Sequence, residues 1–117
     1  MSTKTVFFGY ISFLREEVDL AKDIMKRRPQ DYLWMCFDPT RVVQDGPATP
    51  HPNMSFSIIL DLDNLTEIED SIADFEQAIG ELPFLSAVLV VEREGPGATS
   101  VFRMSAGTTK FFAEMVS

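Results

Sequence analysis

The strongest constraint on this chain is a change of period at Asp63-Asn64. Before it, Met54, Phe56, Ile58, Leu60 and Leu62 alternate with Ser55, Ser57, Ile59 and Asp61, the two-residue repeat of a strand with one buried face. After it, Leu65, Ile68, Ile72, Phe75, Ile79 and Leu82 recur at intervals of three and four, the stripe of an amphipathic helix. A one-faced strand followed at once by a one-faced helix buries both surfaces only if the helix folds back onto a sheet. The punctuation agrees. Asn64 with Glu67, and Thr66 with Glu69, both fit a capping box, and Gly80 and Pro83 supply a stop.

Further elements flank this unit. Val6 to Ile11 is β-branched and aromatic, a strand buried on both faces, and Gly9 inside it marks a bulge or a close backbone approach. Ser12 is placed to cap a following helix whose stripe runs through Leu14, Val18, Ala21 and Met25, widened by Leu20 and Ile24. Lys26-Arg27-Arg28 sit in its last turn, ahead of Pro29. Tyr32 to Phe37 is a short apolar run and reads as a second strand. Residues 38–53 hold Pro39, Pro47, Pro50 and Pro52 and read as a long loop. Phe84 to Val91 is a further strand, and Thr99 to Met104 pairs back on it across a Gly-Pro-Gly turn. A short last helix opens at Thr108 or Thr109 and carries Phe111, Phe112, Met115 and Val116.

The order β-α-β-β-α-β, then β and a short α, predicts a single α+β domain over residues 1–117. Its expected form is a ferredoxin-like split βαβ sandwich, with the first and third strands central and two helices on one sheet face. At the level of element order this resembles the dimeric α/β-barrel proteins. Several strands are apolar on both sides (Phe7 and Phe8; Trp34, Met35 and Cys36; Val88 to Val91), so the second sheet face needs cover. A second copy of the chain meets that need, and a homodimer is expected.

Charge narrows the partners. The net charge is −8, and it is unevenly spread. Residues 1–41 hold seven bases and six acids, whereas residues 42–92 hold ten acids and no Lys or Arg. An acidic chain does not suit a phosphate backbone or an anionic membrane surface, so neither nucleic acid nor membrane is expected as a direct partner. No apolar run reaches the roughly 20 residues that span a bilayer, and the first residues lack a signal-peptide pattern, so a cytoplasmic location is expected.

Few residues carry recognisable chemistry. A single Cys and a single His exclude a disulfide framework and multi-histidine metal sites. Asp61-x-Asp63 with Glu67 and Glu69 can gather oxygens for a hard cation, but capping and dipole complementation explain the same acids, and no metal or cofactor is expected. His51, with Asp45 as the acid in its loop, is a candidate base that lacks an evident orienting group. Cys36 stands among Trp34, Met35 and Phe37, apolar surroundings that raise a thiol pKa.

Two functions follow. The first is a small acidic binding module, inhibitor or immunity-like and non-enzymatic, that holds a basic protein partner through Glu67, Glu69, Asp70, Asp74 and Glu76. The second is a small enzyme or ligand-binding protein whose pocket, lined by Tyr10, Trp34, Arg41 and His51, is roofed by loop 38–53. The charge segregation favours the first.

Overall fold

The computed structural model of the chain describes residues 3–28, 33–43, 51–94, 99–108 and 110–114. Five strands, β1 (Thr3–Ser12), β2 (Asn53–Leu62), β3 (Ser86–Arg93), β4 (Thr99–Ser105) and β5 (Phe112–Glu114), form one antiparallel sheet in the order β2-β1-β3-β4-β5. Two helices join them: α1 (Val18–Arg27), preceded by a 3-10 turn at Arg15–Glu17, and α2 (Leu65–Gly80). The protein is therefore α+β, as the period analysis predicts.

Register decides what lies where. Phe7 stands opposite Ile58 on one side and Val91 on the other; Ile11 stands opposite Met54 and Ala87. Side chains alternate across a pleated sheet, so Phe7, Ile11, Met54, Phe56, Ala87, Leu89, Val91 and Met104 share one face. All eight belong to the buried core. Val18, Ala21 and Met25 of α1, and Ile68, Phe75, Ala78 and Ile79 of α2, bury in the same cluster. Phe75 is its hub, with ring centroids 5.4 Å from Phe7, 5.6 Å from Phe56 and 6.1 Å from Phe37.

Gly9 falls on this face, between Phe7 and Ile11. The pairing of β1 with both neighbours runs past it unbroken, so there is no bulge. The close approach is real: a Cβ at Gly9 would stand 1.8 Å from the Val88 carbonyl oxygen.

The opposite face of the sheet presents Val6, Phe8 and Tyr10 from β1, Val88 and Val90 from β3, and Val101 and Arg103 from β4. None of these belongs to the core cluster. Val88 is nevertheless buried, at 8% exposure, between its strand neighbours Tyr10 and Arg103. Among the described residues no helix packs on this face.

The structure departs from the expected element order at three places. Tyr32 lies outside the described residues, and Leu33 to Phe37 is not a strand: Trp34–Cys36 is a 3-10 turn, followed by another at Pro39–Arg41. A strand would put Leu33, Met35 and Phe37 on one side. Instead Leu33 and Phe37 are buried while Met35 is 63% exposed, a helical segregation. A short run of continuous apolar residues has no period, so it cannot distinguish the two.

The loss of that strand moves β2, the expected third strand, from the centre to the sheet edge. The outer side of β2 keeps one isolated bridge, Val43 to Asn53. The β-α-β-β-α-β order is thus incomplete.

The expected last helix is β5. Gly107, at φ 90°, turns the chain back from β4, and Phe111 and Phe112 diverge. Phe111 packs against Phe102 at 5.8 Å, whereas Phe112 is exposed. Thr109, Met115 and Val116 lie outside the described residues.

Ser12 also differs from expectation. It ends β1 rather than capping a helix, and α1 begins at Val18 with no side-chain cap. Phe13, fully buried just after it, carries the chain across the end of the core first. Leu20 is exposed on α1, and Leu65 is exposed at the start of α2.

Candidate functional site

The acids of α2 divide into two kinds. Asn64 caps the helix, accepting from the Glu67 backbone N–H at 3.0 Å, and the Glu67 carboxylate accepts from the Asp63 N–H at 2.5 Å. Of the two capping boxes the sequence offers, this one forms. Glu67 is therefore engaged at the helix start. Glu76 accepts from the Phe111 backbone N–H at 2.6 Å and lies 3.9 Å from the Lys110 ammonium, which ties α2 to the segment before β5. Glu81, just past the helix, bridges to Arg28 at 2.9 Å.

Glu69, Asp70 and Asp74 are exposed, and α2 has no Lys or Arg of its own. They do not share one patch. Glu69 lines a groove of about 250 Å³ toward β3 and β4, where Arg93 stands. Asp70 lines a wider groove of about 490 Å³ on the β2 side, together with Asp61, Asp63 and Glu67. One turn further on, Asp74 joins a cleft of about 280 Å³ with Arg28, Trp34 and Glu81. Asp61, Asp63, Glu67 and Asp70 therefore share the β2 side of α2, whereas Glu69 lies on the side toward β4. Among the described residues no three His, Cys, Asp or Glu side chains converge to hold a metal ion.

The second expected site is not gathered into one cavity. Tyr10, 40% exposed, points to the open sheet face opposite the core. Trp34 packs on the core side, edge-on to Phe37 at 5.4 Å, with the Arg28 guanidinium 5.1 Å from its ring centroid. Arg41 lies 4.0 Å from Asp38 and lines a hollow of about 380 Å³ with Met35, Cys36 and Ser57. His51 is exposed, its carbonyl accepting from the Asn53 side chain at 3.3 Å. Residues 44–50 of the loop, Asp45 included, lie outside the described residues. The Cys36 thiol donates to the Leu33 carbonyl at 2.8 Å, a bond that the protonated form makes.

Asp38 carries the clearest electrostatic perturbation. Its carboxylate accepts from the Thr40 hydroxyl at 2.7 Å and the Thr40 N–H at 2.9 Å. These bonds, aided by Arg41, hold it below the usual aspartate range. It sits at the rim of the Arg41 hollow, where its charge opposes the binding of an anion.

Sequence reasoning missed the cleft formed by Arg28, Trp34, Asp74 and Glu81. No local signal announces it, because its residues come from three segments that only the fold joins. Compared with known proteins, the chain matches no family model, no curated protein and no solved structure. Among the described residues no helix is long and apolar enough to cross a membrane.

Proposed function

We propose that this chain is a non-catalytic binding module, inhibitor or immunity-like in manner, that holds a basic protein partner against the exposed acids of α2. The observation that carries this reading is the division among the α2 acids. Glu67 and Glu76 bond to backbone N–H groups, whereas Glu69 and Asp70 stand exposed at the surface of a helix with no cation of its own. Asp61 and Asp63 extend the same field past the helix start. Such a field speeds encounter with a positively charged surface and discriminates against acidic ones. The proposed module acts as a homodimer, since among the described residues no helix covers the apolar side chains on the sheet face opposite the core.

The pocket reading has less support, since only Arg41 of its four expected residues lines the hollow beside the 3-10 turns.

The test is a comparison of baits. Wild-type chain and the triple variant Glu69→Lys, Asp70→Lys, Asp74→Lys would each be used to capture protein from the native host at low and high salt. The captured partner would then be purified for rate measurements. A basic protein retained by wild type and lost from the variant, with an association rate that falls as salt rises, supports the reading. A partner that binds both forms at equal rates at every ionic strength would overturn it.

A further inference from the structure

We infer that the outer edge of β2 takes up an extended segment of the basic partner as an added strand, one in which Lys or Arg alternates with apolar residues. This rests on the basic-partner part of the proposed function and names the chemistry and mode of that contact.

Three observations carry it. The first is an open edge. Val43 and Asn53 exchange both backbone hydrogen bonds, at 2.8 and 3.0 Å, so the N–H and C=O of Asn53 point away from β1. β2 pairs with β1 without a break from Asn53 to Leu62. In an antiparallel ladder, alternate residues turn their backbone groups to opposite sides. The N–H and C=O of Ser57, Ile59 and Asp61 therefore also point outward, and among the described residues no backbone group bonds to them. The 3-10 turns that replace the expected strand stand off from Ser57 and Ile58 across the hollow of about 380 Å³. β2 holds no Lys, Arg, Pro or Gly and no bulge, the devices that commonly close an edge to pairing. Its single charge, Asp61, repels only an acidic strand.

The second observation is missing cover on the core side of this edge. Met54 and Phe56 are 0% and 2% exposed, whereas Ile58, Leu60 and Leu62, on the same face further along, are only half-buried. Leu60 and Leu62 border the groove of about 490 Å³ whose other wall is Glu67, Asp70 and Ser71 of α2. An added strand would send alternate side chains into this groove and the others to the opposite face, beside the exposed Ile59.

The third observation is charge. Asp61, Asp63, Glu67 and Asp70 line the groove, and no cation lines it with them. A Lys or Arg side chain suits it at both ends, with its stem over Leu60 and Leu62 and its head among the carboxylates. An apolar side chain suits Ile59. A second copy pairing through the same edge would set acidic groove toward acidic groove, so the occupant is a basic segment and not another β2. Strand addition of this kind draws affinity from main-chain bonds and specificity from alternate side chains.

The probe is a capped peptide of about eight residues alternating Lys and Val, added to the full chain. Amide hydrogen exchange should be fast at Ser57, Ile59 and Asp61 in the chain alone and slow at Ile58 and Leu60. Saturating peptide should slow the first three about tenfold or more. A Glu-Val peptide of the same length should not bind, and Lys-Val binding should weaken as salt rises. In an antiparallel addition the valines lie opposite Ser57, Ile59 and Asp61, and their N–H groups face β2. Methylating the valine nitrogens should therefore weaken binding about tenfold or more, whereas methylating the lysine nitrogens, which face solvent, should not. Ile59→Pro removes an outward donor and keeps the bonds of Ile58 and Leu60 to β1. It should retain native far-UV dichroism and lose the peptide to a similar degree. The methylated peptides are read on the wild-type chain, so the result does not depend on how that variant folds.

Equal binding by the two methylated peptides would overturn the inference. So would edge amides that exchange as slowly as Ile58 and Leu60 in the chain alone, or that slow with chain concentration rather than with peptide. A peptide that protects α2 and leaves the β2 edge unchanged would overturn the edge and leave the basic-partner reading standing. Edge protection by the peptide, with no basic protein retained by the wild-type chain, would overturn the partner reading alone.

Discussion

The backbone N–H of Phe111 donates to the carboxylate of Glu76 at 2.6 Å, joining residues 35 positions apart in the chain. This one bond fixes the approach of β5 to α2 and lets Phe111 reach Phe102. It also removes Glu76 from the acids open to a partner. Glu76→Ala should therefore destabilise the fold, by about 1.5–3 kcal/mol, the range for a hydrogen bond to a charged group. Glu76→Gln keeps an acceptor oxygen and should lose less. Urea melts of both variants are the check. A change near zero for Glu76→Ala would show that β5 is held by its pairing with β4 alone.

Gly9 has no tolerance for a side chain. A Cβ there meets the Val88 carbonyl oxygen and then its carbon at 2.9 Å, both of them backbone atoms between two paired strands. Neither can move without parting β1 from β3 at the centre of the sheet. Overpacking a core with flexible side chains costs about 1–3 kcal/mol, and a backbone clash should exceed that range. Gly9→Ala is expected to lower the thermal midpoint sharply or abolish folding. If the alanine variant melts within a degree or two of wild type, the strands are not so closely apposed in solution.

Most of the secondary structure was legible because period and punctuation agree. β2 alternates cleanly, α2 has both a stripe and an Asn64 cap, and Gly9 inside an apolar strand announced the close approach. Leu33 to Phe37 was illegible for the opposite reason. Every residue in it is apolar or aromatic, so the choice between strand and turn falls to tertiary packing. Phe37 settles it by reaching Phe56 and Phe75 at 5.1 and 6.1 Å. The last segment failed similarly, since Phe111-Phe112 fits either a helix or a strand until Gly107 sets the turn. Of the candidate sites, the acidic helix could be read from composition. Which of its acids are engaged could not, because the partners of Glu76 and Glu81 come from distant parts of the chain.

The core of α2 should respond to truncation by depth. Phe75 is fully buried and within ring contact of three other phenylalanines. Phe75→Ala should cost about 3–5 kcal/mol, as truncations of buried aromatics do. Ile72 is on the same stripe but only half-buried, facing the groove between α2 and β4. Its replacement by Ala should cost about 1–2 kcal/mol, below the range for a fully enclosed aliphatic residue. Equal losses for the two variants in the same denaturant series would mean that the helix sits deeper over β4 than its exposure indicates.

Asp38 offers a pH-dependent reading of a single turn. Two bonds from Thr40, the hydroxyl first and the backbone N–H second, favour the ionised carboxylate in the folded chain, and Arg41 at 4.0 Å adds a smaller attraction. In the unfolded chain those bonds are absent, and the group titrates near the ordinary aspartate value of about 3.9. The folded value is therefore the lower one. The carboxylate contributes stability in full above the unfolded value, and that contribution is lost as pH falls through the folded value. A carbon-detected titration of the Asp38 carboxyl should find it still ionised when exposed aspartates are half protonated. Thr40→Val removes the hydroxyl but keeps the backbone N–H, and should move the titration up toward the ordinary value. Arg41→Gln should move it less, because the charge is farther away and solvated. If Arg41→Gln moves the titration more than Thr40→Val does, the ion pair rather than the hydroxyl governs the turn, and the Thr40 bonds play the smaller part.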